Sequence, residues 1–197
     1  MNPFDRIERI SSENNGVLQT KVVLKNGISK PTLAKFVEQY GYERVSRGIY
    51  CSPDVWEDGL YLLQLRCPKT IFSHETALYL LDMTDQDPHQ YTVTVKSGYN
   101  ASHLREDGVK VYAIKKELFE LGVVNVKTPF GNEVKIYNPE RTLCDLIRNR
   151  STVDLQIFQD AVKEYAKRRS KNLHYLMECA DKLHVANILR SYLEVLL

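Results

Sequence analysis

Thr20-Lys21-Val22-Val23-Leu24-Lys25-Asn26-Gly27-Ile28-Ser29-Lys30-Pro31-Thr32-Leu33-Ala34-Lys35-Phe36-Val37 carries the signals on which the architecture turns. Thr20 can cap a two-turn helix, and Asn26-Gly27 offers the left-handed residues that stop it. Ser29 is placed to cap a further helix. Pro31 is tolerated in a first turn because that N–H has no partner in any case, and Leu33, Phe36 and Val37 recur at i, i+3 and i+4 until Tyr40-Gly41. Two short helices joined by a tight glycine turn make a helix-turn-helix pattern.

The pattern extends in both directions. Upstream, Phe4, Ile7 and Ile10 follow Pro3 at helical spacing and end at Asn14-Asn15-Gly16. Downstream, residues 42–51 read as strand, glycine turn and strand, with Arg44 and Arg47 at or near the tip. Three helices and a hairpin in this order predict a winged helix-turn-helix over residues 1–52.

Charge supports a nucleic-acid surface there. Residues 17–52 hold six Lys or Arg against two Asp or Glu, whereas residues 53–100 hold three against seven. A basic patch of that density on a small module attracts phosphate; the plainer alternatives are a solvated face or a protein contact. The N-terminal residues of the second helix of such a motif reach base edges in the major groove, and arginine on the hairpin can lie along the backbone or enter the minor groove. The expected DNA-binding set is therefore Lys21, Ser29, Lys30, Thr32, Lys35, Gln39, Arg44 and Arg47.

The whole chain excludes several classes. Its 197 residues are 43% hydrophobic and 26% charged, the composition of a folded soluble protein. Lys plus Arg total 27 against 25 Asp plus Glu, so any field strong enough to select a partner must be local. No apolar run approaches the roughly 20 residues that cross a bilayer, and Asp5, Arg6, Glu8 and Arg9 are unlike a signal peptide. Cys51, Cys67, Cys144 and Cys179 form no C-x-x-C pair and read as reduced thiols of a cytoplasmic protein.

From residue 53 to 197 the pattern becomes mixed, and the class expected for the whole chain is α+β, with a small sheet and a helical tail in this second domain. Helices are predicted near 55–65 and, capped by Ser73, over 76–83. Strands are predicted over 91–95, 109–114, 123–127 and 134–137, in a sheet that is antiparallel in part. Asn138 then caps a helix with Pro139 in its first turn; Leu143, Leu146 and Ile147 form its apolar stripe, and Arg141, Asp145 and Arg148 its polar side. An i,i+4 pair such as Arg141 and Asp145 adds on the order of 0.2 to 0.5 kcal/mol to an exposed helix. Three more helices, near 153–167, 172–183 and 185–196, complete the chain.

Chemical motifs are sparse. His74-Glu75 starts like H-E-x-x-H, but Leu78 stands where the second histidine is required. There is no G-x-x-x-x-G-K-[ST] loop and no G-x-G-x-x-G, and no metal, cofactor or catalytic residue is expected. His103 and Arg105 read as a loop between strands, where binding residues concentrate. Lys163 and Lys167 begin a basic stripe that is either a solvated face or a second contact.

On Gly16-Val17-Leu18, Gly27 to Leu33, Glu43 to Tyr50, Trp56 to Tyr61, Ile71 to Leu80, Gly108 to Tyr112 and Tyr137 to Arg148, the chain resembles the AbiEi-family antitoxins of type IV toxin-antitoxin systems. The similarity spans nearly the whole sequence. It implies a non-enzymatic autorepressor that binds inverted-repeat operator DNA and counteracts a nucleotidyltransferase-like toxin, in phage defence by abortive infection. Such a protein is expected to be a monomer in solution, with two copies on DNA and no stable toxin complex required. His103, Arg105, Arg141, Asp145, Arg148, Lys163 and Lys167 are the candidates for the antitoxin or partner contact. Two rivals remain: a regulator whose second domain senses a small ligand, and an enzyme centred on His103, Glu106, Asp107 or the Arg141–Asp145 pair.

Overall fold

A computed structural model describes residues 2–196, and its contacts divide the chain after Arg66 into two compact units. The class is α+β. The N-terminal unit runs α1 (Pro3–Glu13), β1 (Val17–Gln19), α2 (Thr20–Lys25), α3 (Lys30–Gln39), β2 (Glu43–Ser46), β3 (Ile49–Cys51) and α4 (Gly59–Arg66).

Local chemistry accounts for most of these boundaries. Asn2 and Asp5 form a reciprocal capping box at the start of α1. Ser29 caps α3, its hydroxyl accepting from the Thr32 N–H at 3.3 Å. Ile7, Ile10, Leu18, Val23, Ile28, Leu33 and Phe36 are buried together, with Phe4 edge-on to Phe36 at 5.4 Å.

Three details differ from the sequence reading. Thr20 does not cap α2 but opens it, because β1 leads straight in and the Thr20 N–H donates to the Gly48 carbonyl at 2.8 Å. At the end of α2 only Gly27 is left-handed, at φ +74°; Asn26 stays at φ −83°. The division also falls after Arg66 rather than at 52/53, because Tyr61, Leu62 and Leu65 of α4 pack on Val17, Ile49 and Cys51 of the small sheet.

That sheet is antiparallel in the order β1-β3-β2, and its register shifts between Arg44 and Ser46, a bulge that twists the hairpin.

The C-terminal unit contains β4 (Ile71–Phe72), α5 (His74–Leu80), β5 (Thr92–Lys96), α6 (Ser102–Glu106), β6 (Lys110–Ile114), α7 (Lys116–Phe119), β7 (Val123–Lys127) and β8 (Glu133–Tyr137). The helices α8 (Pro139–Arg148), α9 (Leu155–Lys167), α10 (Leu173–Lys182) and α11 (Ala186–Leu196) follow. The five strands lie in the order β6-β5-β4-β8-β7, with parallel pairs β5–β6 and β4–β8 and antiparallel pairs β4–β5 and β7–β8.

Asn138 caps α8, accepting from the Arg141 N–H at 3.0 Å. Every residue from Glu140 to Ile147 is buried, because α5, α9, α10 and α11 all pack against this helix. All four cysteines are buried and none is in a disulfide. Among the described residues no helix is long and apolar enough to cross a membrane.

Candidate nucleic-acid interface

The start of α2, the start of α3, the hairpin turn and the end of α4 border an open groove of about 770 Å³. Its floor is apolar, with Leu24, Leu33, Ile49 and Leu65. Its rim carries Lys21, Lys30, Arg47 and Arg66, with Tyr50 between them. The tertiary structure thus gathers cations from four elements separated in sequence.

The eight residues expected to meet DNA are not equivalent. Lys21, Lys30, Lys35 and Arg47 are exposed and have no ion-pair partner among the described residues, so their charge is available to an anion. Ser29 and Thr32 hold each other, hydroxyl to hydroxyl at 2.8 Å, within the cap of α3. Arg44 sits within β2 opposite Tyr50 rather than at the tip, and its Nε donates to the Ser46 carbonyl at 3.4 Å; only Arg47 occupies the turn. At about 100° per residue, Lys30 and Ala34 face the groove, while Thr32, Lys35 and Gln39 lie on the other flank of α3. Arg66 escaped the sequence reading because nothing local connects the end of α4 to the hairpin.

The C-terminal candidates do not form one site. His103 and Arg105 stand on the short helix α6, not in a loop; both are exposed, and His103 Nε2 lies 3.5 Å from Cys67 Sγ. Arg148 is exposed at the end of α8. Lys163 and Lys167 are exposed on α9 but face Asp160 at 3.6 Å and Glu164 at 3.7 Å, so much of that stripe's field is cancelled.

Arg141 and Asp145 require a correction: they occupy the interior rather than a polar surface. Arg141 Nε donates to Asp145 Oδ2 at 3.0 Å, and Arg141 Nη1 donates to the carbonyls of Leu118 at 2.7 Å and Leu121 at 3.0 Å. Burial raises the Asp145 carboxyl to about 6, with Arg141 and then Arg148 pulling it down. The pair is closed to a partner and to a substrate, which removes it as a contact surface.

The motif at His74 is also internal. His74 adopts φ +49° and is buried, stacked on Tyr112 with centroids 3.8 Å apart. Asn149 Nδ2 lies 3.0 Å from His74 Nε2 and Ser73 Oγ lies 3.0 Å from Nδ1, so the imidazole accepts at Nε2 and donates from Nδ1. Burial first, then the charges of Lys110 and Arg141, lower its pKa to about 3. Among the described residues no three His, Cys, Asp or Glu side chains are grouped to hold a metal ion.

No family model matches the chain. No curated protein matches it either. Among solved structures it is similar to the RV2827C protein from Mycobacterium tuberculosis, at 10% identity and a TM-score of 0.59 over 89% of this chain and 69% of that one. At that identity the likeness is one of fold.

Proposed function

We propose that the N-terminal unit is a winged helix-turn-helix that binds duplex DNA, and that the chain is a cytoplasmic, non-enzymatic antitoxin and autorepressor. The observation that carries this reading is the set of exposed cations Lys21, Lys30 and Arg47, without ion-pair partners among the described residues, around a groove beside α3 and the hairpin turn. Phosphates would be held by these side chains while the outward face of α3 enters the major groove. Two copies would occupy an inverted-repeat operator, the free protein being a monomer. The C-terminal unit would counteract a nucleotidyltransferase-like toxin; that part rests on the sequence resemblance, with exposed His103, Arg105 and Arg148 as the contacts to test first.

Fluorescence anisotropy with a labelled duplex from upstream of the reading frame tests the DNA half. Affinity should fall steeply with salt, with a log–log slope of roughly −0.9 for each phosphate contact. A flat salt response would count against it. Growth rescue by the full chain, co-expressed with a toxin encoded next to it, tests the other half.

A second reading has one observation in its favour. A cavity of about 190 Å³ in the C-terminal unit is lined by Glu75, His89, Thr92 and Lys110, with Lys110 Nζ 3.2 Å from Glu75 Oε1. A small polar ligand there would make the chain a ligand-sensing regulator.

A further inference from the structure

The face of α3 opposite buried Leu33 and Phe36 is a line of four exposed residues, Pro31, Ala34, Lys35 and Glu38. Pro31 and Ala34 are short, so a flat surface can come close to the helix axis. Lys35 and Glu38 then project beyond them, one turn apart. Glu38 makes no hydrogen bond or ion pair among the described residues, and Lys35, one turn before it, is the cation nearest to it along the helix face.

A carboxylate near the end of a helix offered to DNA weakens the contacts to phosphate around it. It becomes favourable only opposite a hydrogen-bond donor, because an ionised carboxylate only accepts. In the major groove, guanine offers acceptors at O6 and N7, and thymine an acceptor at O4; both repel it. Adenine offers its amino group beside the N7 acceptor. Cytosine offers the N4 amino donor without an adjacent acceptor on the same base. Lys35 has the opposite preference, its ammonium matching guanine O6 and N7. Three residues of helix advance about 4.5 Å, close to the stacking distance of about 3.4 Å between successive bases.

We infer that Glu38 is a specificity-determining residue that accepts from the N4 amino group of a cytosine, with Lys35 donating to a guanine at the same or the adjoining base pair. This deepens the DNA-binding reading and rests on it.

The test is selection from a pool of duplexes with a randomised core, using the full chain as wild type, Glu38→Gln, Glu38→Ala and Lys35→Ala, followed by anisotropy on the enriched duplexes and their single-base variants. The wild type should enrich a cytosine at one fixed position. Glu38→Gln should move that position to adenine, which glutamine pairs through N6 and N7, and leave the others unchanged. Glu38→Ala should cut discrimination at that base pair by roughly tenfold or more. If both Glu38 variants raise affinity for all duplexes alike and keep the wild-type motif, the carboxylate merely repels phosphate and the inference is overturned while DNA binding stands. If the wild type enriches no duplex, both readings fall together.

Discussion

Arg141 donates to Asp145 at 3.0 Å inside the C-terminal unit, where the two side chains retain 0% and 4% of their surface. The same guanidinium reaches the carbonyls of Leu118 and Leu121 and lies 4.2 Å from the centre of the Tyr137 ring. An i,i+4 pair that resembles a helix-surface ornament is therefore a clamp between α8 and the chain around α7. Arg141 Nη2 is buried without a hydrogen-bond partner, so the face it presents to Tyr137 compensates it only in part.

Removing one partner of a buried ion pair leaves the other charge uncompensated. Asp145→Ala should therefore cost about 3–5 kcal/mol, far more than the few tenths expected on a helix surface. Arg141→Lys should also destabilise, because one ammonium cannot serve a carboxylate and two carbonyls in this planar arrangement. Urea denaturation of the full chain measures both. A loss for Asp145→Ala below about 1 kcal/mol would place the pair in solvent.

His74 supplies a pH dependence whose sign follows from its lowered pKa. The unfolded chain protonates this imidazole near 6.5 and the folded chain only near 3, so its contribution to stability is complete above 6.5 and is lost as pH falls. Asp145 works in the opposite sense: its raised carboxyl favours the folded state at low pH and loses that contribution as pH rises through about 6. His74→Asn isolates the histidine term, since asparagine tolerates positive φ and does not titrate. Between pH 7 and 5 the wild type should lose about 2 kcal/mol more stability than this variant. Nitrogen-detected NMR should show one neutral tautomer, with the proton on Nδ1, throughout that range.

At the proposed DNA face, Lys30→Ala and Arg47→Ala should each make the salt dependence of duplex binding shallower by about 0.9 in log–log slope. Lys163→Ala and Lys167→Ala should leave it unchanged, since both side chains already face carboxylates on α9. Anisotropy titrations at several salt concentrations compare the four. Equal losses in all of them would reveal a second DNA contact on α9.

Two glycines separate backbone strain from lack of space. Gly27 has φ +74° with nothing within 4 Å of an added Cβ, so Gly27→Ala should cost about 1–2 kcal/mol from left-handed backbone alone. Gly16 combines φ +80° with Val55 Cγ1 at 2.7 Å, and Gly16→Ala should destabilise the N-terminal unit by clearly more. Thermal melts followed by circular dichroism rank the pair.

The local rules reach far along this chain. Asn2, Ser29 and Asn138 start helices because their side chains satisfy the first free N–H groups, and Val123–Lys127 reads as a strand through its branched residues and the turn that follows. They do not reach β1 and β4, whose three and two residues are too short to show a period. Nor do they reach α6, whose five residues hold one buried side chain, Leu104.

What the amino-acid order determined by itself is the longer helices and strands, the basic bias of residues 17–52, and the α+β class. What only the tertiary structure decided is which polar groups face water. Arg141 and Asp145 follow a surface-like spacing, yet α8 is buried all round from Glu140 to Ile147. Lys21, Lys30, Arg47 and Arg66 become neighbours only when the hairpin and the end of α4 pack beside α2 and α3. Hydrophobic period and capping are local properties read within a turn or two, whereas burial depends on elements tens of residues away that close over a side chain, and no local pattern encodes their arrival.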